Sequence, residues 1–145
     1  MTIIVLDGQG GGIGRAIISA LLPLLPQGAQ LLCVGTNAMA TAAMLKAGAQ
    51  RGATGENAVR WAAQNADILI APIALVLKDS MMGEITGDMA ASVGSSRGHG
   101  RGRVRLWPFC ITFGLTLHSY CLIIKGLEPG GLPKGPAGDN PFAHG

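Results

Sequence analysis

The residues with the most chemical content form one run, Asp7-Gly8-Gln9-Gly10-Gly11-Gly12-Ile13-Gly14. Gly8, Gly12 and Gly14 have the spacing G-x-x-x-G-x-G, and five glycines fall within seven residues. The run follows an apolar strand and opens a helix, where a phosphate-binding loop belongs. Each glycine type has an expected task. Gly8 and Gly10 permit a tight turn, positive φ included. Gly12 lets a phosphate approach the backbone with no Cβ in the way, and Gly14 lets the helix pack closely on the strand. Free N–H groups and the positive helix end then face an anion. The expected ligand is a nucleotide or dinucleotide, with NAD(P) as the first cofactor candidate. The strict G-x-G-x-x-G pattern is absent, because Arg15 stands where a third glycine would follow Gly10 and Gly12. The Walker lysine is absent too, which disfavours P-loop hydrolysis. The alternative is a turn that packs tightly and binds nothing. Each glycine loses up to ~1 kcal/mol of chain entropy on folding, which weighs against it.

Other side chains could join this loop. Asp7 would repel phosphate unless backbone amides or a metal compensate, so it is expected to organise the loop or hold Mg²⁺, the former preferred. Gly35-Thr36-Asn37 follows the second strand, where a Rossmann protein reads the adenosine ribose. No Asp or Glu stands there. Thr36 and Asn37 could bond a ribose or a 2′-phosphate, with Arg51 assisting, or Asn37 could simply cap a helix. Glu56 opens a helix; it is read as favourable first-turn charge before a base or cation ligand. His99, His118 and His144 are isolated, and no Ser/His/Asp, Cys/His or metal-ligand spacing occurs. No catalytic residue is assigned, and whether the chain is an enzyme stays open.

These residues need a frame. Thr2–Leu6 and Gln30–Val34 read as buried strands and Asp67–Ala71 as a third. Apolar residues at helical spacing predict a helix over Ile13–Leu22, stopped by Pro23. Asn37 caps a helix over Ala38–Ala47 that Gly48 closes. A further helix spans about Gly55–Asn65, and Thr86 caps a short one through Ala91. This β-α-β-α-α-β order predicts an α/β fold: a small Rossmann-like, three-layer domain with a parallel sheet and an incomplete or irregular C-terminal part. The nucleotide-binding domain is expected over residues 1–94.

The chain changes character near residue 95. Residues 1–94 carry five Lys/Arg against six Asp/Glu, and residues 95–145 six against two. The net charge of +3 therefore belongs to the C-terminal part, and no nucleic-acid partner is expected. Residues 95–125 join a basic Gly/Arg segment to an uncharged run, Leu106–Ile124; residues 126–145 are Gly/Pro-rich and read as disordered. The uncharged run is long enough for a membrane span, but Pro108, Gly114, His118 and Ser119 favour extra strands. Three cysteines without C-x-x-C spacing fit a reducing cytoplasm. No signal peptide is read at the start. Aromatics make up 4% of the 145 residues, so the core must be aliphatic, with Met39, Met44, Met81, Met82 and Met89 as gap-fillers. A homo-oligomer is compatible with this composition.

Two resemblances attach to these residues. The stretch from Gly8 to Ile17 resembles the cofactor loop of short-chain dehydrogenases, over about twenty residues, with Asp7 at that family's threonine position. Dehydrogenase chemistry does not carry over, because Tyr120 is followed by Ile124 where the family's Tyr-x-x-x-Lys pair has lysine. More broadly, DGQGGGIGRAI (7–17), GTNAMATAAMLKAGA (35–49), GATGENAV (52–59) and SMMGEIT (80–86) resemble an uncharacterised bacterial family, the domain of unknown function 3842. That resemblance covers about residues 1–94 and implies a small Rossmann-type protein with no established activity. It also implies a further strand and helix after residue 94, from which this chain departs; a shifted reading frame would account for the Arg/Gly/Pro-rich ending. The function expected is nucleotide binding at the glycine loop. The alternative is a non-catalytic interaction or regulatory protein whose glycine turn is structural.

Overall fold

The structure is a computed structural model. It describes residues 1–96 in full and, beyond them, the backbone of two strands at 105–113 and 116–125. The Gly/Arg/His run at 97–104 and the 126–145 tail lie outside the described residues.

Four strands, β1 (Thr2–Asp7), β2 (Gln30–Gly35), β3 (Arg51–Thr54) and β4 (Ile68–Pro72), alternate with helices α1 (Gly12–Leu21), α2 (Ala38–Lys46) and α3 (Glu56–Asn65). Helix α4 (Gly87–Ser95) and strands β5 (Arg105–Phe113) and β6 (Thr116–Lys125) follow. The sheet order is β3-β2-β1-β4-β6-β5. The first four strands run parallel, and the β5–β6 hairpin joins antiparallel along β4. The parallel α/β sheet expected from the sequence is present. Among the described residues no helix is long and apolar enough to cross a membrane. Most of the uncharged run lies in β5 and β6.

The apolar run of β1 explains its central place. A strand covered on both faces needs apolar residues at odd and even positions alike. Ile3 and Val5 pack with Ile17, Ile18 and Leu21 of α1 and Met44 of α2. Ile4 and Leu6 face the other way, onto Val59 and Ala62 of α3 and Met89 and Val93 of α4. Helices thus cover both faces, giving three layers. The small alanines of α3 and α4 let these helices sit close without aromatic filling.

The expected caps form. The Asn37 side chain accepts from the Ala40 N–H at 2.9 Å, and Thr86 accepts from the Met89 N–H at 3.1 Å. Gly48 closes α2 at φ 119°.

One element differs from the sequence-based expectation. Residues 51–54 form β3, whereas the sequence suggested two helices in succession. This RGAT strand is short, exposed throughout and without apolar alternation, so no periodicity marks it. Its pairing with β2 holds it at the sheet edge, Leu32 to Arg51 through Gly35 to Thr54. The Thr41 hydroxyl fastens it further, lying 3.1 Å from the Ala53 carbonyl oxygen and 2.7 Å from the Thr54 hydroxyl.

Candidate functional site

The carboxyl ends of β1 and β2 lie side by side, with Asp7 opposite Gly35. The 8–11 turn therefore sits against Thr36 and Asn37, and the Thr36 N–H donates to the Asp7 carbonyl at 3.0 Å. The structure brings together Asp7, Gly8, Gln9, Gly10, Gly11, Gly12, Ile13, Gly14, Thr36 and Asn37, but not Arg51 or Glu56.

Asp7 organises the loop from below. Its side chain is buried, with one oxygen accepting from the Gly8 N–H at 2.8 Å and the other from the Gly14 N–H at 2.6 Å. One carboxylate thus clamps the first and last glycines of the motif. Burial pushes its pKa above the usual aspartate value, against the Gly14, Gly8 and Ile13 amides, and the nearby charge of Glu84 adds to the rise. Among the described residues no group of three or more His, Cys, Asp or Glu is placed to hold a metal ion.

The glycines divide into two kinds. A Cβ on Gly8 would lie 2.9 Å from both the Thr36 hydroxyl and a Glu84 oxygen, and 2.5 Å from the Met81 sulfur. Gly11 has φ +70° and meets the Ala40 backbone of α2 at 2.8 Å. A Cβ on Gly14 would lie 2.9 Å from Asp7 Cβ and closer still to Met44 Sδ. The fold itself requires glycine at these three positions. Positive φ falls on Gln9 and Gly11, not on Gly8 and Gly10 as the sequence suggested. Gly10 and Gly12 are different. Both are exposed, neither has positive φ, and a Cβ on either would meet nothing within 4 Å. Among the described residues no hydrogen bond engages the N–H of either. Helix α1 has no side-chain cap and no acidic residue in its first turn.

The expectation of a loop rich in free amides is met only in part. The chain's own groups take the Gly8 and Gly14 amides through Asp7, and the Gly11 N–H donates to the Gly8 carbonyl. The Gln9 amide is taken by Glu84, a residue that motif reasoning missed. Glu84 arrives on the segment between β4 and α4. Its Oε2 accepts from the Gln9 N–H at 2.8 Å and the Thr36 hydroxyl at 2.7 Å. The Asn37 amide group lies 3.2 Å from Oε1 and 3.4 Å from Oε2, and also donates to the Gln9 carbonyl at 2.9 Å. The Gln9 amide, then the Thr36 hydroxyl, hold the Glu84 carboxyl below its usual range; slight burial opposes them and Asn37 assists. The signal for Glu84 was topological. In the order β2-β1-β4, the connection leaving β4 must emerge beside the loop leaving β1, at the switch point of the sheet.

That connection is held in an uncommon conformation. Asp79, Met81 and Met82 have φ of 64°, 54° and 58°. Such values are uncommon for side-chain-bearing residues. The Asp79 N–H to Ile85 carbonyl bond at 2.8 Å closes the turn, and fully buried Ile85 anchors it.

Two further expectations are settled by position. Arg51 pairs with Leu32, three residues before the end of β2, so it stands about 10 Å back along the sheet from that end. There it lines a cavity of about 460 Å³ with Leu32 and Trp61, away from the loop. Glu56 accepts from the Thr86 hydroxyl at 2.6 Å, tying the start of α3 to that of α4, which is a structural role. Cys33 is buried, and burial pushes its thiol up to about 11, so it is a poor nucleophile.

No curated protein and no solved structure matches the chain. A family model does match, over residues 2–100, more than half of the 145. It takes in the glycine loop, the Thr36–Asn37 corner and the Glu84 segment alike, and the chain belongs to the family described as the domain of unknown function DUF3842.

Proposed function

We propose that this chain binds a nucleotide or dinucleotide at the β1–α1 loop, with NAD(P) as the first candidate. One observation carries the proposal: Gly10 and Gly12 are exposed glycines for which the fold has no use. Each loses chain entropy on folding and returns no packing or φ requirement. Both stand at the uncapped start of α1, where unengaged N–H groups and the helix dipole favour an anion. A phosphate fits this place, because it needs close backbone approach. Among the described residues no catalytic group is assigned, so the proposal is of binding alone.

A second reading has its own support. Asp7 and Glu84 already satisfy three loop amides, as a purely structural turn would require. A thermal-shift screen against nucleotides separates the two. Ligand at 100 times its dissociation constant stabilises by about 2.7 kcal/mol, whereas a structural turn gives no shift. Gly12→Val then locates the site. A Cβ there meets nothing within 4 Å, so a branched side chain should enter the phosphate position with the fold kept, and affinity is expected to fall at least tenfold. Retained affinity in folded Gly12→Val protein would place the ligand elsewhere.

A further inference from the structure

We infer that Glu84 is the residue that reads the ribose: its carboxylate accepts from free ribose hydroxyls and turns away a 2′-phosphate, so the site selects NAD-type over NADP-type nucleotides. This rests on the nucleotide reading above. A Rossmann site that takes an unphosphorylated ribose uses a carboxylate at the end of its second strand. Here β2 ends in Gly35-Thr36-Asn37, with no acid. The fold supplies one from another element. Glu84 comes from beyond β4, crosses above Gly8 and is fixed over that same corner by donors from both loops.

The two carboxylate oxygens are not equivalent. Oε2 takes the Gln9 amide, the Thr36 hydroxyl and a longer contact from Asn37. Among the described residues Oε1 takes only the Asn37 amide group, at 3.2 Å. It keeps acceptor capacity for a hydroxyl donor. The donors that hold the carboxylate also favour its ionised form, so it is an acceptor and an anion at neutral pH. A phosphate dianion set against it would meet like charge. Neither 8–14 nor 35–37 contains lysine or arginine, and Lys78, the basic residue of Glu84's own segment, lies 3.9 Å from the Asp79 carboxylate. Arg51, the one basic residue the sequence offered for a 2′-phosphate, stands about 10 Å back along β3. Arg15 is the next basic residue after the loop, on the first turns of α1.

The test uses the full chain and two ligand pairs that differ only by the 2′-phosphate: NAD⁺ with NADP⁺, and AMP with 2′,5′-ADP. Calorimetric titration is expected to show the unphosphorylated member of a pair bound at least tenfold more tightly. Glu84→Gln, which keeps shape but not charge, is expected to narrow that ratio to threefold or less. Circular dichroism of the variant confirms that the comparison is made on folded protein. If the 2′-phosphorylated ligand binds the parent equally or better, the inference about Glu84 is overturned while nucleotide binding stands. An unchanged ratio in folded Glu84→Gln protein overturns it as well. If no member of either pair binds the parent, the nucleotide reading and this inference fall together.

Discussion

Gly12 and Gly14 lie two residues apart on one helix, yet alanine should act oppositely at the two. At Gly14 the new methyl would sit 2.9 Å from Asp7 Cβ and 2.9 Å from Met44 Cγ, and nearer still to Met44 Sδ. Neither neighbour can yield easily. Asp7 is part of β1 and is held by two amide bonds, and Met44 is fully buried. Overpacking of this kind costs about 1–3 kcal/mol, and three approaches under 3.0 Å place it near the top of that range. Replacing a helical glycine by alanine returns about 1 kcal/mol. The net loss for Gly14→Ala is therefore about 2 kcal/mol, or a fall in Tm of roughly 4–8 °C for a chain of this size. At Gly12 the methyl meets nothing within 4 Å and φ is not positive. Gly12→Ala should stabilise by about 0.4–1 kcal/mol through the unfolded state. The two variants should then differ by about 2.5–3 kcal/mol. Urea unfolding followed by circular dichroism measures this, with the m value checked for constancy. Equal stability of the two variants would refute the division of the loop into fold-required and free glycines. It would mean that α1 can slide off β1 without loss.

Two more predictions concern the carboxylates and caps around the loop. The stability gap between the parent and Glu84→Gln should depend on pH: Glu84 is held below its usual value of 4.5, so its contribution is full above that pH and lost as the pH falls through the folded-state value. Asp7 is shifted the other way, chiefly by burial, which both proteins share, and least by the Glu84 charge, which only the parent has; a gap that widens as the pH falls below 4.5 would contradict the bonds assigned to Glu84. Thr86→Ala removes both the α4 cap and the tie to Glu56, and should lower stability by about 1–2 kcal/mol, whereas Thr86→Ser should recover most of it.

How much was legible depended on where each signal lies. The buried strands β1, β2 and β4 are apolar runs, and Asn37, Gly48 and Thr86 punctuate the helices through local backbone chemistry, so neighbouring residues suffice to read them. β3 could not be read in that way, because an exposed four-residue edge strand is defined by its partner β2 rather than by its own side chains. Alternation along the chain was the available clue: two helices following one parallel strand call for a strand between them. The same division runs through the site. Asp7 and the glycines are contiguous, and the role of Asp7 follows from a carboxylate placed beside a turn of amides. Glu84 lies 75 residues from the amide it accepts, and only the strand order brings it there. Composition also misassigned the individual glycines. Which glycine takes positive φ depends on α2, whose Ala40 backbone crowds Gly11.

The two carboxylates set a condition on any ligand of this loop. A helix N-terminus offers about half a positive charge, and here the buried Asp7 already lies against its amides. Glu84 adds negative charge on the Gln9 side. Phosphate is therefore favoured only toward Gly10 and Gly12, where the N–H groups are unengaged, and disfavoured over Gln9 and Thr36. A ligand suited to this gradient carries its anion at one end and hydroxyl donors at the other. Free inorganic phosphate has no such polarity and should bind weakly, while a nucleoside phosphate can place its ribose at Glu84 and its phosphate at the helix. On the proposed reading, the gradient also gives the exposed glycines a use. With Asp7 and Glu84 holding the rest of the turn rigid, the approach left open to an anion is the one that Gly10 and Gly12 keep free of side chains.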